Sequence, residues 1–277
     1  MPYFKTTAQP QTDIYFEDSG TDGQAVVLIH GWPLSLRSWE PQANALLAAG
    51  YRVIAYDRRG FGESGKATAG YDYDTFASDL NDLLEQQDLR DVVLVGFSMG
   101  GGEVARYIGR YGQGRVAKAV LMSAVTPYLL KADDNPSGAM DEKAVGDMLE
   151  QVTKDRITFL GGFVKTFYNG GLFAPKASDE ILNFSQALAW RASPVGTQRC
   201  VAAFGMTDFR ADLAKFSVPT MIVHGDDDKI VPIDASGRRA AELVRGSRLE
   251  VVSGGPHGLN VTHADEVNKL LLDFLKS

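Results

Sequence analysis

The chain has 277 residues, 44% of them hydrophobic, enough for one large core or one domain carrying an inserted subdomain. Lysine and arginine number 28 against 35 acidic residues, a formal net charge of −7, and no basic stretch stands out. That balance argues against nucleic acid and anionic membrane as partners, and the single cysteine, Cys200, excludes an intramolecular disulfide.

Residues 1–6 lack the basic and apolar regions of a signal peptide, and no apolar run of about 18 residues follows, so a cytoplasmic location is expected. Strand-like apolar runs fall at 14–17, 26–30, 52–56, 92–97, 118–122, 220–224 and 249–252. Helical patterns lie between and after them at 39–49, 74–87, 103–111, 235–244 and 264–275. This alternation, with near-continuous apolar strands, predicts a mostly parallel sheet with helices on both faces. Between 125 and 212 no strand is evident. That interval is rich in helix formers and in aromatics, among them Phe159, Phe163, Phe167, Tyr168, Phe173, Phe184 and Trp190. It reads as a helical cap at 127–212, inserted into an α/β core at 1–126 and 213–277, and most of its aromatics should only pack the cap onto the sheet.

The chemistry concentrates after the run at 92–97. Gly96-Phe97-Ser98-Met99-Gly100 joins a buried strand to a helical pattern, a G-x-S-x-G match in the setting of a nucleophile elbow. A serine on so sharp a turn is pushed out at the carboxyl end of the sheet, with a strained backbone. Gly96 and Gly100 flank it because the turn leaves no room for Cβ atoms. The same turn puts the Met99 amide at a helix N-terminus, where it can face a developing oxyanion.

A serine nucleophile needs a base, and the base needs an orienting carboxylate, here in the chain order serine, acid, histidine. Of the four histidines, His30 and His224 end strands, and His263 opens the last helix, a position suited to a surface or capping role. His257 lies in the tight loop Gly254-Gly255-Pro256-His257-Gly258, which can lean an imidazole over the sheet edge; it is the expected base. The acid should follow the preceding strand, where His224-Gly225-Asp226-Asp227-Asp228-Lys229-Ile230-Val231-Pro232 offers three adjacent carboxylates. At most one can pair with His257 without repulsion from the others, and spacing does not choose among them.

Two other patterns carry little. Gly60-Phe61-Gly62-Glu63-Ser64-Gly65 matches G-x-G-x-x-G after a strand, but 66–73 begins no helix and no ribose-binding acid follows at the right distance, so no nucleotide is expected. Scattered histidines and a lone cysteine predict no metal site, and Cys200 reads as a small semi-buried residue.

Taken together, His30-Gly31-Trp32-Pro33, the run Asp57-Arg58-Arg59-Gly60-Phe61-Gly62-Glu63-Ser64, the elbow through Gly102, Ala124-Val125-Thr126-Pro127, the acid loop and Pro256-His257-Gly258 resemble the α/β-hydrolase superfamily over essentially the whole chain. The chain most resembles its cofactor-free haloperoxidase and aryl-esterase group of serine hydrolases. The resemblance implies Asp228, the aspartate just before x-I-V-P, as the acid, and the Trp32 amide as a second oxyanion donor beside Met99. It implies that His30 shapes its own loop and that the arginines at 58 and 59 are structural.

The expected activity is hydrolysis of small-acyl or aryl esters through an acyl-serine, without a cofactor, with lactones, lactams or C–C bonds as alternative substrates of the same fold. Trp32, Pro33, Val125, Phe163, Phe167, Phe204 and Ile230 are the candidate pocket. The resemblance also implies perhydrolysis, in which hydrogen peroxide replaces water at the acyl-enzyme and the peracid oxidises halide. Pro33 bears on this, because proline constrains Trp32 and lacks an N–H, leaving the Trp32 carbonyl free to accept from bound peroxide. Ser98 stands where dehalogenase and epoxide-hydrolase relatives carry aspartate. A ligand receptor on a hydrolase fold is the non-enzyme alternative. Homo-oligomers are common in the group, although no stripe in this chain marks an interface.

Overall fold

The computed structural model describes residues 2–168 and 177–277; Phe173 lies outside them. Its strands are β1 (Tyr3–Lys5), β2 (Asp13–Asp18), β3 (Ala25–Ile29), β4 (Arg52–Tyr56), β5 (Val92–Phe97), β6 (Val116–Met122), β7 (Thr220–Gly225) and β8 (Arg248–Val252). They form one sheet in the order β1-β2-β4-β3-β5-β6-β7-β8, antiparallel at β1–β2 and β2–β4 and parallel elsewhere. Every residue of β3 and β5 is buried, which is why both read as unbroken aliphatic runs rather than as alternating ones. β1 escaped the sequence reading because three residues carry no periodicity. β3 stops at Ile29, leaving His30 in the loop beyond it, and β6 starts two residues before the predicted 118.

The helices are α1 (Glu40–Ala48), α2 (Tyr73–Gln86), α3 (Met99–Tyr111), α4 (Glu142–Lys154), α5 (Arg156–Tyr168), α6 (Asp179–Arg191), α7 (Pro194–Met206), α8 (Arg210–Leu213), α9 (Gly237–Leu243), α10 (Leu259–Thr262) and α11 (Ala264–Lys276). α1, α10 and α11 pack together as one layer, while α2, α3, α8 and α9 form another. α3 begins at Met99, four residues earlier than its pattern suggested, because three consecutive glycines of low helix propensity hide its first turn. Between β6 and β7 the described residues form α4 to α8, with isolated β-bridges at Leu130–Met140 and Ala132–Asn135. Asp141, Ser178 and Ser193 cap α4, α6 and α7 by accepting from backbone amides. Ser193 N–H bonds Gly60 O in the loop after β4 at 2.7 Å, and Phe209 N–H, at the start of α8, bonds Pro127 O in the loop after β6 at 2.8 Å. Among the described residues no helix is long and apolar enough to cross a membrane.

The strand order explains where a site belongs. From β3 the chain turns one way to β4 and then crosses to β5 on the other side, so the loops after β3 and β5 diverge and leave a crevice at the carboxyl edge. The N-terminus of α3 closes tightly on β3 there: a Cβ on Gly100 would fall 2.2 Å from the Ile29 carbonyl oxygen. Gly100→Ala is therefore expected to push the elbow away from β3 at a cost of about 1–3 kcal/mol. In a thermal melt that is a fall of roughly 5 °C in Tm. An unchanged melt would show that this approach is not under constraint.

Candidate active site

Ser98 links β5 to α3 with φ 53° and ψ −117°, a left-handed backbone for a residue that has a Cβ. Its amide donates to Met122 O at 2.8 Å, and its carbonyl accepts from Gly101 N at 3.0 Å and Val125 N at 3.3 Å. Pinned on both sides, the turn aims Oγ at the histidine loop that follows β8. Ser98 Oγ lies 2.8 Å from His257 Nε2, and His257 Nδ1 lies 2.7 Å from Asp228 Oδ2. A carboxylate only accepts, so Nδ1 carries the imidazole proton and Nε2 is left to accept from the serine hydroxyl. All three side chains are buried. Phe97 and Phe167 bracket the imidazole, with ring centroids 5.3 and 4.7 Å away.

The three adjacent aspartates separate by geometry. Asp226 accepts from Gly254 N at 2.6 Å and so braces the histidine loop. Asp227 pairs with the exposed Lys229. Asp228 alone reaches His257, and its other oxygen accepts from Ile230 N at 2.9 Å and Val231 N at 2.8 Å. Burial would raise the Asp228 carboxyl, but the facing imidazoles of His257 and His224 outweigh it and hold it below the usual carboxylate range. The stability it contributes is present above its unfolded pKa and is lost only as pH falls through that lower folded value.

Met99 is the first residue of α3, so its amide has no acceptor within the helix. Among the described residues the Trp32 amide also donates to no protein group. His30 holds the loop that carries Trp32: Nδ1 donates to Gly31 O at 2.9 Å and Nε2 accepts from Arg58 N at 3.0 Å. Full burial, reinforced by the Arg58 charge, pushes the His30 pKa well down, which suits this double role. Arg58 is paired with Glu103, and Arg59 makes a two-pronged pair with Asp79 at 2.6 and 2.7 Å; both pairs are buried beneath the site. Cys200 is buried, and burial pushes its thiol up to about 12, which leaves it no thiolate for chemistry.

Ser98 opens into a cavity of about 150 Å³ walled by Trp32, Val125, Phe163, Phe204 and Ile230, five of the seven expected pocket residues. Pro33 and Phe167 do not line it. Phe167 instead packs on His257 and accepts from Gly258 N at 2.8 Å, holding the histidine loop. Pro33 is buried. The remaining walls, Leu129, Met140, Met148, Lys229 and Val231, were missed. Lys229 and Val231 adjoin the acid, a proximity the sequence could have signalled; Met148 arrives on α4 and Met140 from a bridge to Leu130 just before it, and neither had a local signal. Among the described residues no cluster of histidine, cysteine and acidic side chains could hold a metal ion.

The geometry can be set beside known proteins. The chain is 46% identical to the non-heme chloroperoxidase CPO-A1 of Kitasatospora aureofaciens, over 97% of this chain and 98% of that one. It is 38% identical to the bifunctional esterase/perhydrolase DCH of Acinetobacter calcoaceticus, over 98% and 99%. A bromoperoxidase structure from Bacillus anthracis superposes with a TM-score of 0.95 at 51% identity, covering 99% of this chain and 100% of that one. Residues 24–264 match the model of the alpha/beta hydrolase fold. With that match spanning most of its length, the chain belongs to the alpha/beta hydrolase fold family.

Proposed function

We propose that the protein is a serine carboxylic-ester hydrolase that acts through an acyl-serine on small-acyl or aryl esters. The observation that carries this reading is the unbroken chain from Ser98 Oγ through His257 to Asp228, at 2.8 and 2.7 Å, on the wall of an apolar cavity. Ser98 Oγ attacks the ester carbonyl as His257 Nε2 takes its proton, and Asp228 stabilises the imidazolium that forms. The Trp32 and Met99 amides receive the oxyanion. His257 then gives the proton to the departing alcohol. Water attacks the acyl carbon with His257 as base, the carboxylic acid leaves, and Ser98 regains its proton. A cavity of this volume with apolar walls is the size that takes one benzene ring, which supports small acyl or aryl groups.

A second reaction at the same site is perhydrolysis. It is favoured by the chloroperoxidase and esterase/perhydrolase relatives. Hydrogen peroxide replaces water at the acyl-enzyme, a peracid departs, and that peracid oxidises halide in solution.

Ser98→Ala should lower kcat on p-nitrophenyl acetate about 10⁶-fold with binding nearly intact, because the three groups act as a unit. Activity within about tenfold of wild type would remove Ser98 from the mechanism.

Asp228→Asn should cost about 10³ to 10⁴-fold by admitting the wrong His257 tautomer. Asp226→Asn and Asp227→Asn should cost far less, since those carboxylates serve Gly254 and Lys229. A crippling Asp227→Asn with a mild Asp228→Asn would reassign the acid.

Pro33→Leu restores an N–H next to Trp32 and should lower the ratio of perhydrolysis to hydrolysis while ester hydrolysis persists. A tenfold change needs only about 1.4 kcal/mol between two transition states, the worth of one hydrogen bond. Peracid yield at fixed peroxide measures it, and an unchanged ratio would leave Pro33 a purely structural residue.

A further inference from the structure

His224 lies near the carboxyl end of β7, inside the sheet and fully buried, and the reaction as described gives it nothing to do. An imidazole without partners would be costly there, so its bonds indicate its role. Nε2 is 2.8 Å from Val231 O and 3.3 Å from Asp228 Oδ2; both are acceptors, so Nε2 carries a proton. Among the described residues Nδ1 has no partner. It is walled off by the first residue of α9, where a Cβ on Gly237 would fall 2.7 Å away. These contacts hold the ring in one tautomer and one orientation.

Asp228 Oδ1 therefore accepts from the Ile230 and Val231 amides and Oδ2 from His257 Nδ1, while His224 Nε2, which donates to the Val231 carbonyl, lies 3.3 Å from Oδ2. The two amides belong to the acid's own loop and move with it. His224 is the side chain that reaches this turn from the sheet, by its bond to the Val231 carbonyl.

Resting on the serine-hydrolase reading above, we propose that His224 is a positioning residue: its Nε2–H ties the turn at 228–231 to β7 through the Val231 carbonyl, and so holds the Asp228 carboxylate where Oδ2 meets His257 Nδ1. Without that tie the turn can shift and carry the carboxylate with it, and fewer molecules present His257 correctly to Ser98. The cavity walls do not include His224, so substrate binding is left alone.

The test compares His224→Leu with His224→Gln, whose side-chain amide can reach the place of Nε2, using p-nitrophenyl acetate turnover and thermal midpoints. His224→Leu should lower kcat about 10- to 100-fold, the range for leaving the buried Val231 carbonyl without its donor, with KM held within about twofold. His224→Gln should recover kcat to within about threefold of wild type. Placed in Asp228→Asn, His224→Leu should cost no more than about twofold further, because the two residues act through one interaction. If the leucine variant does not fold, His224→Asn, whose shorter amide cannot reach, replaces it with the same expected loss. Equal losses from the glutamine variant and the variant without the donor, or a full loss in the Asp228→Asn background, overturn the proposal. Ser98→Ala in the same assay separates the failures. If it stays active, the whole site assignment falls; if it is inactive while the His224 variants all match wild type, only the role of His224 falls.

Discussion

The strained turn at Ser98 is the constraint on which the rest of this site depends. A non-glycine residue held at φ 53° costs about 1–3 kcal/mol and persists only where its surroundings over-determine it. Here β6 and the loop beyond it hold both the Ser98 amide and its carbonyl, and the first turn of α3 is pressed against β3 at Gly100. Strain in the backbone is thereby converted into position. Oγ cannot retreat along the strand, and it meets an imidazole delivered by a separate loop.

Beneath the elbow, one buried polar network sets the two amides proposed for the oxyanion. Glu103 sits one turn into α3, the helix that Met99 opens, and it pairs with Arg58 and accepts from Tyr56. Arg58 in turn bonds the His30 carbonyl at 2.9 Å, and its own amide meets the His30 ring, which is tied to Gly31 beside Trp32. The loop after β3 and the start of α3 thus share a single set of charge-assisted bonds in a low-dielectric interior, where such bonds are strong and a missing partner is expensive. Replacing that set with apolar side chains could keep the fold, but it would free the two loops to move independently.

Much of this was legible in the chain. Ser98 and His257 stood out because each occupies a turn whose glycines and flanking strand are contiguous in sequence. The choice among Asp226, Asp227 and Asp228 was not legible from spacing, since it depends on which neighbour each finds across the fold: the Gly254 amide, Lys229 or His257. Family resemblance, not periodicity, pointed to Asp228. The start of α3 was obscured by its glycines, and β1 by its brevity. Met140 and Met148 reach the cavity only through the packing of the interval between β6 and β7, and Phe167, expected in the pocket, turned instead to the histidine loop. His224 read as an ordinary strand residue because its partner lies in the turn that folds back over it.

The most direct test of the central claim, an acyl group carried on Ser98, is to quench the reaction with p-nitrophenyl acetate in acid during the first turnover and map the protein by peptide mass spectrometry. The account predicts a single acetyl group on the Ser98 side chain that appears with the burst of p-nitrophenol and disappears once substrate is exhausted. Turnover with no acetylated serine, or an acetyl group that persists on another residue, would contradict it.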